Sequence, residues 1–109
     1  MAAAYICSMI VYNVTIKVAH QIAAPWLEWM KTEHMPRLMA SGCFTGSRLF
    51  YLMEQDESDG ITYCAQYDCN TYEDYKRYLD LHAAAIRQEG QQLWGNGYIA
   101  FRTVMRREA

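Results

Sequence analysis

Few side chains in this sequence combine a reactive group with surroundings that would put it to use, and His34 is the foremost. It lies in the run KTEHMPRL, two residues before Pro36. An imidazole gives or takes a proton near neutral pH, and burial or a neighbouring charge tunes it. Proline has no backbone N–H and disfavours a helical residue before it, so a helix through this run must kink there and free carbonyls. His34 is therefore either a proton donor and acceptor facing a pocket, a candidate catalytic residue, or a group that hydrogen-bonds a freed carbonyl. Glu33 projects roughly 100° further around the helix and reads as part of a solvated face. Trp29 is a candidate ligand-contacting wall. The chain has nine Tyr and three Trp against three Phe; rings with a polar handle favour half-buried positions, interfaces and pocket walls. Large core filler is the plain alternative.

Asn13, Gln66 and Arg102 form the second constellation. Each sits in an alternating segment and reads onto one mixed sheet face. Buried polar groups must find partners, so the three form either a polar network at an interface between two copies or a clamp on a ligand. Arg102 suits a carboxylate or enolate oxygen, and Arg48 joins the group if its parity turns it the same way. His82, in a second helical stripe, is a further candidate ligand contact, or a core or helix-stop residue. His20 reads as a surface loop residue. Cys7, Cys43, Cys64 and Cys69 contain no CxxC pair, so a zinc site of standard spacing is not expected and they read as small apolar fillers. No nucleophile elbow, phosphate-cradling glycine loop or carboxylate-rich metal motif is present. Neither a metal nor a cofactor is expected.

The elements that must position these groups follow from periodicity. Ile10, Tyr12, Val14, Ile16 and Val18 share one face of a first strand, a period of two with β-branched residues. From Ala24 to Ala40 the spacing turns helical: Pro25 suits a first turn, Leu27, Met30, His34 and Leu38 form a stripe, and Gly42 ends it. Cys43–Glu54 and Ile61–Cys69 read as a hairpin around the polar turn 55–60. Asn70 is positioned to cap a second helix with Glu73 as its box partner; Tyr75, Leu79, His82 and Ile86 trace its apolar stripe, and Gly90 weakens its end. Tyr98–Arg106 is a last strand, with Ile99 and Phe101 expected to face the helices and Ala100, Arg102 and Val104 the other way.

The order β-α-β-β-α-β predicts an α+β, ferredoxin-like fold: a four-stranded antiparallel sheet with two kinked helices on one face. Residues 9–109 read as one domain and 1–8 as an N-terminal extension without the features of a secretory signal, which implies reduced cysteines and a cytoplasmic location. At 52% hydrophobic and 20% charged residues the chain is no disordered tail. Its formal charge of −2 gives no footprint for nucleic acid, and no apolar run reaches the roughly 20 residues that span a bilayer. The open sheet face, part aliphatic and part polar, predicts a homodimer with that face against its own copy. A monomer with one wet face is the alternative.

The runs IVYNVTIKV, EHMPRLMASGCFT, ITYCAQY, DYKRYLDLHAAAIRQ and YIAFRTVM resemble, in order, a bacterial family of uncharacterised proteins of about 100 residues assigned to the dimeric α/β-barrel superfamily. That resemblance implies the fold and the dimer. The wider superfamily includes cofactor-free monooxygenases of polyketide quinols, haem-degrading monooxygenases, lactone isomerases and sugar mutarotases, which place small ligands between sheet and helices. A helical His shortly before a Pro resembles the mutarotase-like branch, with different spacing. Asn13 and His82 resemble two positions of the haem-degrading members, but Tyr63 and Tyr67 stand where a third-strand Trp is needed. The expectation is a site for a small apolar, oxygen-bearing ligand, with proton-transfer chemistry (isomerisation or cofactor-free oxidation) if it is catalytic. A non-enzymatic dimeric interaction domain is the alternative.

Overall fold

A computed structural model of the chain describes residues 9–108; the expected extension at 1–8, and Cys7 with it, lies outside the described residues. Strands β1 (Ile10–Val18), β2 (Gly46–Tyr51), β3 (Ile61–Cys69) and β4 (Tyr98–Arg106) form one antiparallel sheet in the order β2-β3-β1-β4. Helix α1 spans residues 23–40 and α2 spans 72–94. Buried residues of both helices join the inner sheet face in one core, centred on Trp26, Met30 and Leu38 of α1, Tyr75, Tyr78 and Ile86 of α2, and Tyr12, Ile16, Ala65 and Tyr67 of the strands. This is the ferredoxin-like βαββαβ arrangement. Among the described residues no helix is long and apolar enough to cross a membrane.

Local chemistry accounts for the element ends, with some shifts from the sequence reading. Thr71, not Asn70, caps α2: its backbone is extended and its hydroxyl accepts from the Asp74 N–H at 3.1 Å. The second strand is shorter than expected, because Cys43 and Phe44 are drawn into the core before pairing begins at Gly46. Gly42 takes φ +79° just past α1, the left-handed conformation that favours glycine.

Both helices are interrupted in the middle. In α1 a π-turn at Met30–His34 joins the α-helical pieces Ala23–Trp29 and Met35–Ala40, and the Met35 N–H donates to the Met30 carbonyl five residues back. The expected deformation before Pro36 is thus a widened turn. A second π-turn, Leu79–Ala83, divides α2 without any proline, and nothing in the sequence explains it. Each widened turn lengthens one step between buried residues to five positions. The steps run Trp26, Met30, Met35, Leu38 in α1 and Tyr75, Tyr78, Ala83, Ile86 in α2. Five-residue steps therefore replace the regular spacing that put His34 and His82 on the core stripes; both end half-buried beside them.

Register corrects the parity expected for β4. Val14 lies opposite both Ala65 and Arg102, whereas Asn13 lies opposite Gln66 and Thr103. Directly opposed residues share a face, so Arg102 and Ala100 point toward the helices and Ile99, Phe101 and Met105 point away. The expected grouping of Arg102 with Asn13 and Gln66 is overturned. The misleading signal is physical: β4 is more apolar on its outer face than on its inner one, so alternation alone selects the wrong side.

Candidate functional site

A cavity lies between the helices and the inner sheet face, with about 510 Å³ of empty space including its open mouth. It is narrow, and little of that space admits a water-sized molecule freely. Val14, Ile16 and Ala65 form an aliphatic floor. Trp29, Met30 and His34 of α1 and Tyr78, Arg87 and Gly90 of α2 form the roof, and Tyr98, Ala100 and Arg102 of β4 form one wall.

His34 is the titratable group at its centre. Its ring stacks on Trp29, with centroids 4.6 Å apart and planes 29° apart. Burial first, then the positive charges of Arg102 and Arg37, lowers its pKa to about 4. At neutral pH the imidazole is therefore uncharged and carries one acceptor and one donor nitrogen. The alternative role, a bond to a carbonyl freed at the helix break, is not among its contacts.

The remaining walls are tuned by burial. Burial pushes the Tyr67 and Tyr78 phenols well above their ordinary range, so both stay protonated. Tyr12 accepts a hydrogen bond from Arg87 Nη2 at 3.0 Å and packs among Phe44, Tyr67, Tyr75 and Tyr78. Gly90 is where α2 comes close to Trp29 and Tyr98: a Cβ there would lie 3.4 Å from Trp29 Cη2 and 3.5 Å from Tyr98 Oη.

Of the side chains singled out from sequence, the structure brings His34, Trp29 and Arg102 together around this cavity. Asn13 and Gln66 lie on the opposite sheet face, in a network that crosses all four strands. Asn13 Nδ2 donates to Thr103 Oγ1 at 3.2 Å, and Gln66 Nε2 donates to Asn13 Oδ1 at 3.2 Å. Arg48 Nε donates to Gln66 Oε1 at 3.0 Å, and the same guanidinium holds both oxygens of Asp68 at 2.8 and 2.9 Å. His82 joins neither group; it stacks on Tyr78 at 6.5 Å. His20 is exposed on a short 3₁₀ turn and its Nε2 donates to the Glu57 carbonyl. Cys43, Cys64 and Cys69 are buried and free, and burial pushes the Cys69 thiol up to about 12, which keeps it unreactive.

Arg87, Tyr12, Tyr98 and Gly90 also line the cavity and were not among the candidates read from the sequence. A cation directly after Ala83–Ile86, the apolar run of α2, was the available signal for Arg87. The position of Tyr98 depends on the β4 register, which alternation misassigned.

A family model described as "Domain of unknown function (DUF4286)" matches residues 9–108. No curated protein matches the chain. Among solved structures, the chain is similar to SnoaB, a cofactor-independent oxygenase from Streptomyces nogalater, at 13% identity over 92% of this chain and 94% of that one, with a TM-score of 0.64. It is similar to the monooxygenase ActVA-Orf6 of Streptomyces coelicolor, solved with nanaomycin D, at 14% identity over 94% and 89%, with a TM-score of 0.65. A dimeric ferredoxin-like protein from an uncultured marine organism gives 6% identity over 94% and 97%, with a TM-score of 0.66. At such identities these likenesses establish the fold.

Proposed function

For this chain, which belongs to the DUF4286 family of unknown function, we propose a small-molecule-binding role centred on the cavity between helices and sheet. The observation that carries it is the neutral, half-buried His34, stacked on Trp29 and facing the same space as Arg102. An apolar floor with a few convergent polar groups is the usual make-up of a ligand site. Its narrowness favours a flat, largely apolar ligand with an oxygen that reaches His34 or Arg102.

If the site is catalytic, proton transfer suits it best. Negative charge developing on the ligand oxygen offsets the burial and positive surroundings that hold His34 neutral. The imidazole then takes a proton from an acidic O–H or C–H of the ligand and returns it to another atom of the same molecule, an isomerisation that needs no further reactant. With dioxygen as oxidant, the same deprotonated ligand is open to cofactor-free oxidation, the activity named for SnoaB. The test is affinity for 2-naphthol, a flat aromatic with one oxygen. His34→Ala and Trp29→Ala are expected to weaken binding with the fold intact; a His34→Ala protein that loses stability but keeps its affinity would remove His34 from the site.

We also infer self-association through the outer sheet face. Phe50, Ile99, Phe101 and Met105 stand exposed on the outer sheet face, at 47%, 60%, 67% and 41% of their surface. Beside them, Asn13, Gln66, Arg48 and Asp68 already satisfy one another laterally, so covering them strands few polar groups. Both features favour a homodimer through this face and give Asn13 and Gln66 the interface role rather than a ligand role. A cytoplasmic setting is supported by the free, buried cysteines among the described residues.

A further inference from the structure

Arg87 is incompletely partnered in a place where that matters. Its Nη2 reaches Tyr12 Oη, but its Nε is buried without a hydrogen-bond partner. Buried polar groups in native proteins are nearly always paired, and an orphaned one calls for an explanation. No carboxylate supplies one. The ion pairs of the described residues are Lys17–Asp59, Arg37–Glu89, Arg48–Asp68, Arg77–Asp74 and Arg106–Glu108, and neither Arg87 nor Arg102 is in any of them.

Both arginines line the cavity, and no acidic residue does. They also share a shallow groove, again free of acids, that runs along the outside between α2 and β4 past Gln88, Gln91 and Tyr98. The groove on the other side, beside Glu33 and Glu89, carries acids instead. A chain of net charge −2 thus concentrates unpaired positive charge at one mouth of one cavity. Low-dielectric walls strengthen such a field toward an anion.

We propose that Arg87 is the anchor for a negatively charged ligand oxygen, and that the cavity takes flat aromatic or enolic molecules bearing a carboxylate or enolate. The guanidinium presents a planar fork of donors: Nη2 is held by Tyr12, and Nη1, in no hydrogen bond among the described residues, is the arm left for the ligand. Arg102 adds a second charge at the mouth, while the apolar floor receives the ring. This rests on the cavity being a ligand site, and it adds a charge requirement that the cavity alone does not impose.

The test uses the full chain with benzoate and 2-naphthoate against their uncharged amides, benzamide and 2-naphthamide, followed by NMR shifts of the tryptophan indole N–H signals. The wild type is expected to bind each acid roughly tenfold or more tighter than its amide. Arg87→Met is expected to abolish that preference and leave the amides unaffected, and Arg87→Lys to retain part of it. Equal binding of acids and amides by the wild type overturns the charge requirement, whatever the stability of the variants. A preference that survives Arg87→Met overturns the assignment to Arg87. In both cases, bound amides leave the ligand cavity itself standing. Failure of all four probes to bind overturns the cavity and the anchor together.

Discussion

Trp29 and His34 stack face to face although they lie five positions apart in the same helix. A regular α-helix turns roughly 100° per residue and would set them about 140° apart around its axis. The π-turn at Met30–His34 closes that gap. The helix break thus aims the imidazole at the cavity and backs it with an indole. Pro36, which cannot donate a backbone bond, lies just beyond and removes one competitor for the regular geometry.

His34 makes stability depend on pH with a definite sign. Its folded value of about 4 lies below the ordinary 6.5, because burial and the charges of Arg102 and Arg37 oppose protonation; Arg87 lines the same cavity. As pH falls, the unfolded chain takes up this proton first. The stabilisation is complete above 6.5 and is lost progressively as pH falls toward 4, by about 3 kcal/mol at most. Urea denaturation across this range should show wild type losing more stability than His34→Gln. Identical pH profiles, or an NMR titration of His34 near 6.5, would contradict the burial of a neutral ring.

Gly90 gives a prediction in which stability and binding part company. Glycine inside a helix costs roughly 0.5–1 kcal/mol relative to alanine. An added Cβ meets Trp29 and Tyr98 at ordinary contact distance, without a clash. Gly90→Ala should therefore raise the melting temperature by a few degrees. It should also weaken binding of 2-naphthol, because the methyl occupies the cavity roof. Stabilisation with unchanged affinity would move the ligand away from Gly90.

Phe101 tests the assembly. It stands on the outer sheet face opposite Thr15 and is 67% exposed in the single chain. The wild type should sediment as a dimer at high micromolar concentration, and Phe101→Lys as a monomer with unchanged circular dichroism. A wild-type protein that sediments as a single chain would leave the apolar face uncovered and remove the interface.

The legible part of this molecule was whatever one period describes. β1 and β3 alternate cleanly because their inner faces are apolar, and their order, their helix-facing residues and, to within one residue, their bounds followed from that. β4 had legible ends but a misleading face, since Ile99 and Phe101 are apolar although they point away from the helices. The two helices were recognisable, but their buried stripes contain five-residue steps that a 3.6-residue template does not hold. Pro36 signalled the first break; nothing comparable marks the second. The site was half visible: His34, Trp29 and Arg102 stood out by residue type, whereas Arg87 acquires its meaning only when β1 brings the Tyr12 hydroxyl to it.

The most direct measurement is an NMR titration of the full chain with 2-naphthol, with the tryptophan indole, His34 ring and backbone signals assigned. Saturable shifts of the Trp29 indole, the His34 ring and the amides of Ala65 and Gly90 are expected, with Phe50, Asn13 and Phe101 unmoved. Shifts confined to the outer sheet face, or none at Trp29 and His34 at saturation, would contradict a ligand site between the helices and the sheet.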